Sequence, residues 1–248
     1  MKLTLAEPKF LKEPINVISE LVNEVRFKFD KNKMELIAMD PANVAMIMFK
    51  LLSSAFVDYD VKEDTEIAVN LDSLKQILKR AKPSDTLVIE LDKERNRLKI
   101  QLKGESNRTF NLGLIDIEDR EQKIPELVFN AKIEMPTMIF DEAVEDMDVI
   151  SDSISLMADA KRFTIQAEGH ISDGKVEVLN EEDVAINLTG TSVKAKYSSE
   201  YLKKIIKGSK LVDKVVIQFS NDYPLRIDYI LKDRLQLSTI LAPRTENV

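Results

Sequence analysis

His170 is the chain's only histidine, and the chain contains no cysteine. A thiol nucleophile, a thiolate metal site and a disulfide are therefore excluded. His170 stands in a Gly-His-Ile-Ser turn close to Asp173. It is the one base around which a Ser/His/Asp arrangement could form, and nothing else in the sequence completes one. Neither a phosphate-binding loop nor a glycine-rich dinucleotide fingerprint is present. The 43 Asp and Glu residues are plentiful, but no spacing marks an acid/base pair among them. No catalytic residue, cofactor or metal is expected, although a carboxylate-only magnesium site stays open at this stage.

Regular spacing belongs instead to the lysines. Lys75, Lys79 and Lys82 fall at i, i+4 and i+7, and Lys203, Lys207 and Lys210 repeat the pattern with Lys204 beside them. On a helix each set shares one face, opposite apolar side chains. A single stripe of this kind is an ordinary solvated face. Recurring in both halves, it suits phosphate contact that carries no sequence information. A third helical segment is acidic instead, with Asp141, Glu142, Glu145, Asp146 and Asp148.

The balance of 36 Lys and Arg against 43 Asp and Glu leaves a net charge of -7. A nucleic-acid coat protein is basic, so contact with nucleic acid requires a local basic face on an acidic body. At 248 residues and 44% hydrophobic composition the chain can bury one large core or two ordinary ones. The scarcity of Gly and Pro excludes collagen-like and most disordered classes. The first residues lack a signal-peptide apolar region, and no stretch approaches a membrane span. A soluble cytoplasmic protein without a membrane partner is expected.

The positioning elements are mostly strands. Apolar residues alternate at Val25, Phe27 and Phe29, at Leu98, Ile100 and Leu102, and at Phe163, Ile165 and Ala167, among other runs. Each run reads as a half-buried strand, and short polar turns between them favour antiparallel sheets. Helical period predicts four helices, over about 12–23, 72–81, 139–149 and from 199 to a stop at Gly208. Pro14 is expected in a first turn, with Asp72 or Ser73 as the second helix's cap. The segment Leu74–Lys82 matches Leu202–Lys210 at a spacing of about 128 residues. Asp85, Val88 and Ile89 extend that match to Asp213, Val216 and Ile217. The chain reads as α+β with two similar halves, 1–114 and 128–248, joined by an acidic connector over 115–127.

These features resemble the DNA sliding clamp family, the proliferating cell nuclear antigen family in its archaeal form. The resemblance is carried by Ala38–Met46 (Ala-Met-Asp-Pro-Ala-Asn-Val-Ala-Met), the connector ending Ile124-Pro125, Tyr223–Tyr229 with its Pro-Leu strand, and Ile240–Arg244 with its Leu-Ala-Pro-Arg tail. It covers essentially the whole chain. It implies three chains in a head-to-tail ring, with helices lining the hole and sheets outside. It also implies duplex DNA, without sequence preference, in that hole. DNA polymerase, flap endonuclease, DNA ligase and clamp loader would dock by short peptides.

By that resemblance Lys12, Lys75, Lys79, Lys203, Lys204, Lys207 and Lys210 face DNA. Met39, Val44, Met46, Ile124, Pro125, Pro224, Leu225, Ile240, Leu241, Ala242 and Pro243 form the peptide pocket. Arg80, Lys82 and Arg108 meet Glu142 and Asp146 of a neighbouring subunit, with 107–114 and 174–180 as the pairing edge strands. The acidic third helix departs from the family, which often places basic residues there. Two alternatives stand beside a homotrimer: one subunit of a heterotrimeric or checkpoint-type clamp, and, from another class, a carboxylate-dependent hydrolase.

Overall fold

The computed structural model describes residues 1–118 and 122–245. Two compact units divide the chain. The first comprises Met1–Pro41, Ile47–Gln122 and Leu231–Leu237; the second comprises Ala42–Met46, Lys123–Ile230 and the segment from Ser238 onward.

The first half of the chain runs β1 (Lys2–Leu5), α1 (Lys9–Ile18), β2 (Glu24–Phe29), β3 (Lys33–Met39), β4 (Ala45–Leu52), β5 (Asp58–Asp60), β6 (Thr65–Asn70), α2 (Leu71–Lys79), β7 (Thr86–Asp92), β8 (Arg97–Lys103) and β9 (Asn107–Gly113). The second half runs β10 (Ala131–Pro136), α3 (Thr137–Asp148), β11 (Ser153–Asp159), β12 (Arg162–Glu168), β13 (Asp173–Leu179), β14 (Ala185–Leu188), β15 (Ser192–Ser198), α4 (Ser199–Ile205), β16 (Lys214–Phe219), β17 (Leu225–Leu231) and β18 (Leu235–Leu241). In the first unit one sheet has the order β5-β1-β7-β8-β9, and another places β2 between β6 and β3. In the second, one sheet has the order β13-β12-β11-β15, and β14, β10, β16 and β17 are consecutive neighbours in another. The pairings are antiparallel.

Alternation sets which strand face is buried. In β8, Leu98, Ile100 and Leu102 are buried while Lys99 and Gln101 stay partly exposed. Each fully buried Leu or Ile contributes about 1.5–3 kcal/mol. In the second unit Phe140 of α3, Phe163 of β12 and Phe219 of β16 follow one another at ring separations of 6.5 and 6.1 Å. All three are fully enclosed, so helix and both sheets share one core.

The helices depart from their predicted limits in instructive ways. Helix α1 spans Lys9–Ile18, not 12–23, and Pro14 lies well inside it. The N–H that the Phe10 carbonyl would otherwise receive is missing, and burial of Pro14 between Leu11 and Ile15 offsets that loss. The cap of α2 is Asn70, whose side chain accepts from the Ser73 N–H at 2.9 Å, and not Asp72 or Ser73. Helix α3 starts at Thr137, two residues early, its N–H donating to the Asp213 carbonyl at 2.9 Å.

Gly208 does not stop α4. The helix tightens to a 3-10 turn over Ile206–Lys210 with Gly208 inside it. A Cβ at Gly208 would lie 2.5 Å from two ring carbons of Tyr229, and Tyr229 is itself buried. Gly208 is therefore a close-packing position. Gly208→Ala is expected to lower stability by about 1–3 kcal/mol, the usual cost of overpacking, and the thermal midpoint by roughly 2–10 °C. Calorimetry checks this, and an unchanged midpoint would mean that the ring gives way freely.

Candidate functional site

Several of the lysines in the predicted stripes are engaged within their own unit. Lys12, on α1, donates to the Ala81 carbonyl at 3.2 Å, just past the C-terminus of α2, where carbonyls favour a cation. Lys75 pairs with Glu20 at 3.3 Å and its side chain is only 18% exposed. Lys203 pairs with Asp148 of α3 at 2.7 Å. Lys204 pairs with Glu200 one turn back at 2.7 Å and lies over the Tyr201 ring. Lys79, Lys207 and Lys210 are exposed at the ends of their helical segments. Lys82 leaves the stripe altogether, because α2 ends at Lys79 with Arg80 as its C-cap.

The acids of α3 divide by depth. Asp148 holds Lys203, and that ammonium keeps its carboxyl below the usual carboxylate range. Asp141 is half-buried, and burial raises its pKa against a hydrogen bond from Ser209. Glu142, Glu145 and Asp146 are exposed. One role of the acidic helix is therefore local, neutralising part of the α4 lysine face.

Arg80, Lys82 and Arg108 meet on the first unit around Asp85. Asp85 accepts the Lys82 backbone N–H at 2.7 Å and the Arg108 guanidinium. Arg108 also donates to the Arg80 carbonyl at 2.8 Å, and Lys82 pairs with Glu105 at 2.9 Å. The Asp85 carboxyl is held below its usual range, first by the Lys82 N–H and then by Arg108, against the effect of burial. A group depressed in this way stabilises the fold above the unfolded carboxylate pKa of about 3.9, and that stability is lost as pH falls through the folded value. Asp85→Asn is thus expected to melt lower at pH 7 and to lose less on acidification below about pH 4. Thermal melts across pH check it; parallel curves for parent and variant would exclude this coupling.

Strands β9 and β13 are terminal in their sheets. The Leu114 N–H bonds the Asn96 carbonyl, and the β8–β9 register continues that ladder. Period-two alternation then points the N–H groups of Thr109, Asn111 and Gly113 away from β8. The Asn180 N–H bonds Lys161 on β13's paired side, so Lys175, Glu177 and Leu179 point theirs outward. Each unit thus presents an open main-chain edge.

The apolar docking candidates separate into surface and floor. Met39 belongs to the first unit, where it lines a cavity of about 280 Å³ with Ile37, Ala38 and Ile117. The others belong to the second unit. There, Leu225 and Leu241 are wholly enclosed, so they are core and not contact residues. Met46 and Ile240 are nearly as deep, at 5% and 7% exposure. Val44, Pro224, Ala242 and Pro243 are half-buried, and Ile124 and Pro125 are exposed.

The tail is fixed by main chain. Ala242 donates to the Val44 carbonyl at 2.9 Å and Arg244 to the Lys196 carbonyl at 2.7 Å, while the Arg244 side chain pairs with Asp152 at 2.9 Å. Sequence reasoning missed Val128, which is 82% exposed, and the edge-on pair Phe129–Tyr223 at 6.1 Å. The signal was Phe129 four residues after Pro125 and Tyr223 immediately before Pro224. Tyr197 anchors this wall from the core by donating to the Tyr223 carbonyl at 2.6 Å.

His170 is exposed at the β12–β13 turn. Among the described residues no three His, Asp or Glu side chains cluster as a metal site would need, and no helix is long and apolar enough to cross a membrane.

Comparison with known proteins addresses both units. Residues 1–123 match the family model of the proliferating cell nuclear antigen N-terminal domain, and residues 123–244 that of its C-terminal domain. The chain is 34% identical to the DNA polymerase sliding clamp of Nanoarchaeum equitans, covering 99% of this chain and 100% of that one. It is 36% identical to DNA polymerase sliding clamp 1 of Thermococcus kodakarensis, covering 94% and 93%. The crystal structure of the proliferating cell nuclear antigen from Thermococcus kodakaraensis superimposes with a TM-score of 0.92 at 29% identity, covering 98% and 99% of the two chains.

Proposed function

The chain belongs to the proliferating cell nuclear antigen family, and from this premise we propose that it serves as a DNA polymerase sliding clamp by closing, three copies head to tail, into a ring around duplex DNA. The family's role is that of a processivity factor and not an enzyme. The observation that carries the ring is the pair of open edges. One lies on each unit, each with outward N–H groups, so that β9 of one copy can pair with β13 of the next. Such a contact joins unlike surfaces, and repeated with a closing rotation it makes a ring.

Exposed Glu142 and Asp146 add charge that can meet Arg80 and Lys82 of the neighbour. The lysine-bearing helices then face the hole, where nonspecific, salt-screened phosphate contacts permit sliding. The half-buried apolar strip at Val44, Pro224, Ala242 and Pro243, with Ile124 and Pro125 of the connector, suits short peptides of a polymerase, flap endonuclease, ligase or clamp loader. Tethering raises the local concentration of those enzymes without any bond being made by the clamp. The site of action would be the cytoplasm, on the chromosome. A carboxylate-dependent hydrolase has no support in the family.

Light scattering should give a mass of about three times 28.3 kDa, roughly 85 kDa, over a range of concentration and salt. Loaded clamp should stay on closed circular DNA and run off after linearisation. A chain that remains monomeric at high concentration would end the homotrimer reading and leave a heteromeric clamp, tested by adding candidate partner subunits.

A further inference from the structure

The start of the connector is held in an unusual way. The Ile115 N–H bonds the Ala68 carbonyl at 3.0 Å, which adds one bridge to the edge of β6. Strand pairing ends there. Two residues on, the Ile117 carbonyl accepts the Arg26 Nη2 at 2.8 Å. Arg26 projects from the middle of β2, with its side chain 25% exposed, and its other terminal nitrogen lies 3.6 Å from Glu66 on neighbouring β6. The cavity of about 280 Å³ opens at this place, lined by Val25, Arg26 and Met39 on the sheet side and by Ile117, Glu118 and Gln122 of the connector. Packing therefore does not fill the space under the connector, and the guanidinium reaches across to it. β2 and β3 pair at Lys28–Glu35 and Phe29–Met34, and Lys28 and Glu35 themselves line the cavity.

We propose that Arg26 is a positioning residue for partner-peptide docking. Its grip on the Ile117 carbonyl holds the start of the connector, the segment that also carries Ile124 and Pro125. The inference rests on the docking reading given under Proposed function. A charge-assisted bond to a carbonyl is stronger than a neutral one, and here it is sheltered from water. Without it, the stretch after Ile115 gains conformational freedom, and a docking peptide must order it again at a cost in affinity.

The test uses the full chain as Arg26→Met, Arg26→Lys and, as a docking control, Ala242→Glu. The probe is a labelled synthetic peptide carrying one helical turn with aliphatic and aromatic anchors, followed by fluorescence anisotropy. Hydrogen exchange at residues 115–118, the native mass and the thermal midpoint are measured in parallel. Arg26→Met should weaken the peptide about tenfold and speed exchange at 115–118, with mass and midpoint unchanged. Arg26→Lys, which retains a charged donor, should recover most of both. If Ala242→Glu abolishes binding while Arg26→Met leaves affinity or local exchange unchanged, the inference fails and the docking reading stands. If neither Ala242→Glu nor Arg26→Met weakens the peptide, the docking reading fails and takes the inference with it. A fall in midpoint with faster exchange throughout, unrelieved by Lys, would make Arg26 merely structural and also overturn the proposal.

Discussion

Thr109→Pro is expected to turn an assembly of roughly 85 kDa into a 28.3 kDa monomer at micromolar concentration. Thr109 lies in β9 at a position whose N–H points away from β8. Proline there removes an outward donor while every β8–β9 main-chain hydrogen bond can persist, the 3.4 Å side-chain bond from Gln101 to the Thr109 hydroxyl being the one lost between these strands. The intermolecular ladder loses one bond, about 0.5–1.5 kcal/mol net. It also puts a ring where a neighbour's strand must lie, an overpacking clash that adds about 1–3 kcal/mol. Together these weaken each subunit contact roughly 10- to 2000-fold, and the ring carries the defect at all three contacts. Asn111→Ala, which changes an exposed side chain on the same edge but keeps its N–H, should leave the mass unchanged. A Thr109→Pro protein that still scatters as a trimer would show that the edge is not the contact.

The second large effect concerns DNA itself. Lys79, Lys207 and Lys210 are exposed at the ends of the lysine-bearing helical segments. Replacing all three by Ala removes nine charges from a ring of three chains. If each lysine neutralises one phosphate, the slope of log affinity against log salt becomes shallower by up to about 8, and binding to linear duplex at 50 mM salt falls by several orders of magnitude. Retention on a closed circle should survive once the ring is loaded, since that depends on topology and not on attraction. Lys12→Ala and Lys75→Ala should move the slope far less, because those ammonium groups already serve Ala81 and Glu20. A slope unaffected by the triple change would mean that the lysine-bearing segments do not face DNA.

The contrast between these lysines shows what a sequence discloses. Period-two runs such as Leu98-Ile100-Leu102 and Phe163-Ile165-Ala167 declare their strands, because the buried face is written locally. The internal repeat and the fold class were legible for the same reason. Pairing between segments is not written locally. Glu20 reaches Lys75 across 55 positions, and Asp148 reaches Lys203 from another helix, so helical spacing alone overstated the free positive charge. Gly208 looked like a helix stop because its real reason, the ring of Tyr229, comes later in the chain. Leu225 and Leu241 look like surface groove by resemblance and are core by burial. Arg26 carried no signal at all, its partner being a carbonyl 91 positions away.

Main-chain edges recognise one another without regard to which side chains they carry. A subunit contact built on β9 and β13 therefore tolerates wide sequence drift, provided that strand length, twist and the outward set of N–H groups are kept. On that proposal, partner choice would fall to exposed charges such as Glu142, Asp146, Arg80 and Lys82. After a gene duplication, inverting one such pair on one copy would suffice to make two chains prefer each other over themselves. On the proposed contact, the same strand edges that would let identical copies close a ring would leave the evolution of a mixed ring only a few substitutions away.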